Sequence, residues 1–285
     1  MEKVAIFYFS GTGNTEFISK LIRDNMTKNT TDLYRIEDIL NNVIEVDLTR
    51  YGIIGIGFPS YGFNPPKIVL EFSKKLSKVN YKKVFLFLTC AGPCYLNDVA
   101  FFGIKNNLRR KGYAVIYEKS ICMPANILLK YEDEIVKRIY DAAVKRVEIM
   151  TKDISNNIMK VRNDRFLPYL FQWLLFLVER ISIKTVPLDF TIGKECNKCM
   201  ECIRICPRKN IIFKGKIKHG LKCEACYRCV YGCPQNAIKG RIYNIMILKD
   251  GYNIERIFET SKDIKIKTQL KGIYITMKSY FNSQN

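Results

Sequence analysis

Lys3-Val4-Ala5-Ile6-Phe7-Tyr8-Phe9-Ser10-Gly11-Thr12-Gly13-Asn14-Thr15-Glu16 is the stretch that decides the fold of the first half of the chain. Residues 3–9 form a near-continuous apolar run, the pattern of a parallel strand buried on both faces. Phe17, Ile18, Leu21 and Ile22 then recur at helical spacing. A strand that feeds a hydroxyl- and glycine-rich loop and then a helix makes an anion site. Unpaired N–H groups face the ligand, and the glycines let the backbone approach it. A P-loop would end in Gly-Lys-Ser/Thr, and there is no lysine here. A dinucleotide loop would carry a third glycine where Glu16 stands. What remains is an uncharged loop suited to a phosphate monoester.

Outward from this loop, strands alternate with helices. A short strand is expected near Leu33–Ile36, and Tyr51–Phe58 reads as a buried strand ending in Pro59-Ser60-Tyr61-Gly62-Phe63-Asn64-Pro65-Pro66. Lys67–Leu76 reads as a helix opened by proline. Lys83–Thr89 is the next strand, followed by Cys90-Ala91-Gly92-Pro93-Cys94-Tyr95 and a helix to about Arg110. Tyr113–Ser120 and Glu132–Asn156 complete the series as strand and long helix. The alternation predicts an α/β doubly wound parallel sheet, with ligands at the carboxyl ends of its strands.

The loop Ser10–Thr15 resembles the flavodoxin phosphate loop, Ser/Thr-x-Thr-Gly-Asn-Thr, and the resemblance covers about residues 1–157. It implies FMN, with Ser10, Thr12, Gly13, Asn14 and Thr15 on the phosphate. Pro59, Ser60, Tyr61 and Gly62 would form one wall beside the isoalloxazine, with Tyr61 the stacking ring. Cys90, Ala91, Gly92 and Tyr95 would form the other. Many flavodoxins place an aromatic on each face of the ring, and here the second loop is small and carries cysteine. An ordinary turn aromatic is the plainer reading of Tyr61.

Eight of the eleven cysteines fall in two copies of one spacing. These are Cys196-x2-Cys199-x2-Cys202-x3-Cys206-Pro207 and Cys223-x2-Cys226-x2-Cys229-x3-Cys233-Pro234, with sixteen residues between Cys206 and Cys223. Thiolates two residues apart suit three corners of one Fe4S4 cube, while the fourth cysteine of each run ligates the other cluster. One 4Fe-4S cluster would take Cys196, Cys199, Cys202 and Cys233, the other Cys223, Cys226, Cys229 and Cys206. Zinc sites also use cysteines paired two apart, but zinc gives no reason for three in each run or for the prolines. Residues 190–241 resemble the two-cluster bacterial-type ferredoxin domain.

The remaining cysteines, Cys90, Cys94 and Cys122, read first as small buried apolar residues, with a redox role as the sharper alternative. The single histidine, His219, is expected in a solvated turn, and it excludes mechanisms built on several histidines. Residues 161–190 are expected to connect the domains. Their apolar stretch Phe166–Val178 is too short to span a bilayer, which takes about twenty residues. A helix buried between domains is the reading there, with a membrane-surface anchor as its rival. Residues 242–260 are expected to form a strand or packing arm on the cysteine-rich domain, and 261–285 a lysine-rich tail.

Reduced cysteines in this number and the lack of a signal-peptide pattern point to the cytoplasm. The formal charge is +20. Two oxidised clusters on eight thiolates would bring it to about +16 and a flavin phosphate to about +14. Basic residues are scattered and no nucleic-acid fold signature appears, so nucleic acid is not the expected partner. A basic surface instead suits an acidic electron carrier, a ferredoxin or flavodoxin, or a redox enzyme. A lysine-rich composition without a partner is the plain alternative.

The order of modules resembles flavodoxin–ferredoxin fusion proteins of anaerobic microbes. That resemblance implies electron transfer among FMN, two 4Fe-4S clusters and an external partner. An FMN-dependent reductase of an organic substrate fed through the clusters is the alternative, and a redox-sensing interaction protein a further one. No nicotinamide-binding fingerprint is present.

Overall fold

The computed structural model describes residues 2–162, 185–266, 269–270 and 272–282. The apolar stretch Phe166–Val178 and most of the connecting segment lie outside the described residues. Among the described residues no helix is long and apolar enough to cross a membrane.

The first half is a five-stranded, all-parallel sheet. Its strands are β1 (Val4–Tyr8), β2 (Thr31–Arg35), β3 (Ile53–Pro59), β4 (Lys82–Cys90) and β5 (Tyr113–Cys122). Their order is β2-β1-β3-β4-β5, that of flavodoxin-like sheets. Every residue of β1 is buried, because helices cover both faces. On one face lie α1 (Asn14–Asn25) and α4 (Asp133–Ser155); on the other lie α2 (Lys67–Lys75) and α3 (Phe101–Arg109). The chain leaves β1 toward β2 on one side and β3 on the other. A crevice therefore opens at the carboxyl end of β1, where such sheets bind ligands.

The helix expected to run unbroken to Arg110 is split. Pro93 opens a short helix at Cys94–Asn97, a 3-10 turn follows over Asp98–Ala100, and α3 begins at Phe101.

The cysteine-rich half is a small two-fold repeat. Strand β6 (Phe190–Ile192) pairs antiparallel with β9 (Ile238–Gly240), and β7 (Ile211–Lys214) with β8 (Lys216–His219). Short helices span Glu201–Arg204 and Arg228–Tyr231. Lys198 and Met200 in the first cysteine run and Ala225 and Tyr227 in the second adopt left-handed backbone, as do Lys209 and Asn236 after each proline. Its core is Val186, Phe190, Ile211, Ile217, Tyr227, Val230 and Ile238.

The chain beyond Gly240 meets its expectation in part. Tyr243, Met246 and Ile247 pack on the cysteine-rich core as an arm, not as a strand, and the chain then crosses back to the first half through Tyr252, Ile254 and Phe258. The helix Ile254–Ser261 is capped by Asn253, whose side chain accepts from the Arg256 N–H at 3.0 Å. It buries Ile254 and Phe258 against α1 and α4, with the Phe258 ring centroid 4.9 Å from those of Phe17 and Tyr140. The described residues 272–282 are not a free tail either. Met277 and Tyr280 are buried in the core of the first half. The Tyr280 hydroxyl accepts from the Cys122 N–H at 2.9 Å, and its ring lies 3.9 Å beneath the Arg146 guanidinium. Alternating lysines hid this apolar face from a reading of composition. Tyr280→Ala should cost about 3–5 kcal/mol in urea unfolding, as for other buried aromatics. A loss below about 0.5 kcal/mol, the mark of an exposed site, would contradict the placement.

Candidate functional site

Two arrangements of functional side chains adjoin each other at the carboxyl end of the sheet. The first is a cavity of about 380 Å³. It is floored by Ser10, Gly11, Thr12, Asn14 and Thr15, with Pro59–Phe63 on one side and Thr89–Ala91 on another.

Gly13, at φ +105°, makes the turn into α1, and its N–H donates to the Ser10 hydroxyl at 3.1 Å. The Thr15 and Thr89 hydroxyls are 2.8 Å apart, tying the loop to the end of β4. Asn126 Nδ2 donates to Thr12 Oγ1 at 2.7 Å, and the Asn126 carbonyl accepts from the Tyr231 hydroxyl at 2.6 Å. The Tyr252 hydroxyl lies 2.6 Å from Asn14 Oδ1 and 2.9 Å from the Pro124 carbonyl.

The residue that most shapes this loop is Arg228, from the second cysteine run. Its guanidinium donates to the carbonyls of Ser10 and Gly11 and pairs with Glu37 at 2.7 Å. In a trans peptide the N–H points opposite to the C=O. Holding those two carbonyls therefore turns the N–H groups of Gly11 and Thr12 away from Arg228. Arg228 itself lines a separate groove and not the cavity. The loop thus offers amide donors and hydroxyls at the opening of a helix, which suits a phosphate monoester.

Side chains from the cysteine-rich half close the cavity: Glu224, Ala225 and Tyr227, with Tyr243 and Met246 beyond them. Glu224 Oε1 also accepts from the Ile68 N–H at 3.2 Å near the start of α2. Burial raises its carboxyl to about 7, against the opposing charge of Arg208, 3.1 Å away. Gly11 sits where a Cβ would collide with both the Tyr61 hydroxyl and the Cys226 carbonyl, so no larger residue fits between the two halves.

Pro59, Ser60, Tyr61, Gly62, Cys90 and Ala91 all border the cavity. Tyr61 does not lie as a free ring over it, because its hydroxyl runs in beside Gly11 and Cys226. The Tyr61 hydroxyl and Ser60 Oγ are buried without hydrogen-bond partners among the described residues. Two unsatisfied hydroxyls on a cavity wall fit a polar ligand. Gly92 and Tyr95 are not among the lining residues, and Tyr95 is 63% exposed. Because Pro93 starts a helix, Cys94 turns inward and Tyr95, one residue on, turns out.

The second arrangement is the cysteines. Cys196, Cys199, Cys202 and Cys233 surround one gap together with Ile192, Met200 and Ile217. Cys206 lies near Cys223, Cys226 and Cys229, close enough that a thiolate on it would raise all three thiols. The fourth cysteine of each run thus joins the other run's three. Backbone N–H groups of Asn210 and Ala237 each donate to the sulfur four residues earlier, Cys206 and Cys233, at 3.3 Å. Burial pushes the Cys223 thiol up to about 11 and the Cys226 thiol to about 12. Free thiols there stay protonated, and a bound cation is what would make them thiolates. Among the described residues no three His, Cys, Asp or Glu side chains gather closely enough to hold a single metal ion. The sets are not equivalent, since Cys199 is exposed while Cys226 is buried against the first half and Cys229 in the core of the cysteine-rich half. His219 is not in a solvated turn. It ends β8, half-buried beside Phe190, with Nε2 3.9 Å from Cys229 Sγ.

No family model matches the chain. It is 32% identical over 105 residues to an uncharacterized protein of Methanocaldococcus jannaschii, covering 37% of this chain and 64% of that protein. It is 30% identical over 93 residues to a flavodoxin of Buchnera aphidicola, covering 32% of this chain and 52% of the flavodoxin. The chain therefore spans less than two-thirds of either relative's length. Among solved structures it is similar to oxidised flavodoxin 1 from Bacillus cereus, at 20% identity and TM-score 0.39, covering 54% of this chain and 97% of that one. A flavoprotein in complex with FMN from Lactobacillus acidophilus is 21% identical with TM-score 0.32, covering 42% and 93%.

Proposed function

We propose that the chain is an iron–sulfur flavoprotein that passes electrons between FMN, two 4Fe-4S clusters and an external carrier. The observation that carries this reading is the shared wall. Glu224, Ala225 and Tyr227, interleaved with Cys223, Cys226 and Cys229, line the same cavity as Thr12 and Ser60. FMN would lie with its phosphate on residues 10–15 and its ring between Pro59–Gly62 and Cys90–Ala91. The cluster of Cys206, Cys223, Cys226 and Cys229 would be its neighbour, and that of Cys196, Cys199, Cys202 and Cys233 would face outward through Cys199. When bound, the flavin exchanges one or two electrons and each cluster one. The protein's own part is to hold these groups in order, with Arg228 fixing the phosphate loop and buried cysteine loops excluding water. This arrangement supports reading the second half as a two-cluster ferredoxin-like domain.

The partner in this proposal is an acidic electron carrier. Residues 194–241 hold twelve Lys or Arg against three Glu, and two clusters would offset only about four of that surplus. Lys214, Lys216 and Lys218 are exposed on the β7–β8 hairpin beside Ile212 and Phe213, which are 47% and 42% exposed. Such steering is screened over about 8–10 Å at physiological salt. Stopped-flow reduction by an acidic ferredoxin should slow about tenfold or more between low and moderate ionic strength. Lys214→Glu, Lys216→Glu and Lys218→Glu together should slow it similarly and leave the cluster spectrum unchanged. A rate indifferent to both salt and charge reversal refutes this partner.

A further inference from the structure

Three sulfurs outside the two cysteine runs meet at the carboxyl ends of β4 and β5. Cys90 ends β4, Cys122 ends β5 as its register partner, and Cys94 opens the short helix Cys94–Asn97. The Cys90 and Cys94 sulfurs are 3.5 Å apart, and Cys94 is also within S–H···S reach of Cys122. All three are buried, and Cys90 is the one that borders the cavity. We propose that Cys90 and Cys94 are a reversible dithiol–disulfide couple on the cavity wall, a redox group additional to the flavin and clusters. The part of this inference that concerns electron exchange with a flavin rests on the reading above.

The geometry favours this pair. A disulfide brings its sulfurs to about 2.05 Å, so Cys90 and Cys94 need close by only about 1.5 Å. The three residues between them can supply that movement. Gly92 stands at φ +95° with nothing within 4 Å of where a Cβ would be. Cys122 is fully buried behind the pair and serves as packing, so the couple does not require it. Buried cysteines used only as small apolar residues have no need to touch one another. Here Cys94 touches both of the others.

On oxidation the two S–H bonds break and one S–S bond forms. Two protons leave through the cavity, and two electrons pass to an oxidised isoalloxazine, a two-electron acceptor. In reverse, the disulfide takes up two electrons and two protons and returns both thiols. A one-electron supply from clusters, collected in pairs at a flavin, would then have a two-electron acceptor within the same chain. Of the two, only Cys90 borders the cavity, so the cavity is the route by which electrons and small thiols reach the pair.

The test is a redox titration of the folded full-length protein under nitrogen. It is equilibrated in dithiothreitol buffers of graded ratio, acid-quenched, alkylated before and after reduction, and mapped by peptide mass spectrometry. Cys90 and Cys94 should lose reactivity together, in one transition fitting two electrons, with the Cys90–Cys94 peptide pair recovered. Cys90→Ser and Cys94→Ser should each abolish the transition, and Cys122→Ala should retain it. In parallel, adding oxidised FMN to the dithiol form should bleach one flavin per wild-type chain and none in Cys90→Ser. Protein that shows the transition but binds no FMN supports the couple and refutes the flavin reading. Protein that binds FMN while Cys90 and Cys94 stay thiols throughout, or pair with other cysteines, overturns the couple. A transition without flavin bleaching overturns the exchange.

Discussion

Cys226→Ser should remove about half of the iron and, with it, most of the affinity for FMN. The iron content is expected to fall from about eight to about four per chain, because the set of Cys206, Cys223, Cys226 and Cys229 loses one ligand. The flavin should follow, because that run is the wall of the cavity. The Cys226 carbonyl abuts Gly11, and Arg228, two residues on, holds the carbonyls of Ser10 and Gly11. Losing one or two hydrogen bonds to a charged group, at about 1.5–3 kcal/mol each, raises Kd by about tenfold or more. Cys199→Ser should also cost about half of the iron. It should leave FMN binding unchanged, since Cys199 lies in the outer set and is exposed. Arg228→Met separates the two effects: it keeps every cysteine, so iron should stay while FMN affinity falls. Equal flavin loss in Cys199→Ser and Cys226→Ser would show that the cavity does not depend on the inner set.

Riboflavin should bind about 10²–10³ times more weakly than FMN, because it lacks the phosphate that residues 10–15 hold in the proposed reading. Thr12→Ala and Thr15→Ala together should narrow this gap by weakening FMN and leaving riboflavin nearly unaffected. Each threonine also holds the loop, through Asn126 at 2.7 Å and Thr89 at 2.8 Å, so a further fall in unfolding free energy is expected. Fluorescence titration of each flavin reads the affinities, and equal Kd values in the wild type would remove the phosphate assignment.

Much of the first half was legible because its signals are local. The buried run Val4–Tyr8 stands next to its own loop and helix, and the spacing of apolar runs fixes a parallel sheet. The two cysteine runs stand out as a repeat in the sequence, and in the structure Cys233 borders one gap with Cys196, Cys199 and Cys202. What escaped the sequence lies in contacts across the chain. Arg228 reaches carbonyls more than two hundred residues away, and no pattern near either end announces it. Tyr252, Phe258 and Tyr280 sit among lysines and polar residues, so their apolar faces cover the first half without a strong local signal. Tyr95 went outward for a local reason, the helix start set by Pro93, which a reading of the loop as an extended wall overlooked.

The wall shared by the phosphate loop and the second cysteine run makes flavin and cluster content the central quantities. Protein purified under strict anaerobic conditions should be analysed for iron, acid-labile sulfide, zinc and flavin on the same sample. The expected result is about eight irons, about eight sulfides and one FMN per chain. Stoichiometric zinc without sulfide, or a full complement of iron and sulfide in protein that takes up no FMN, would contradict it.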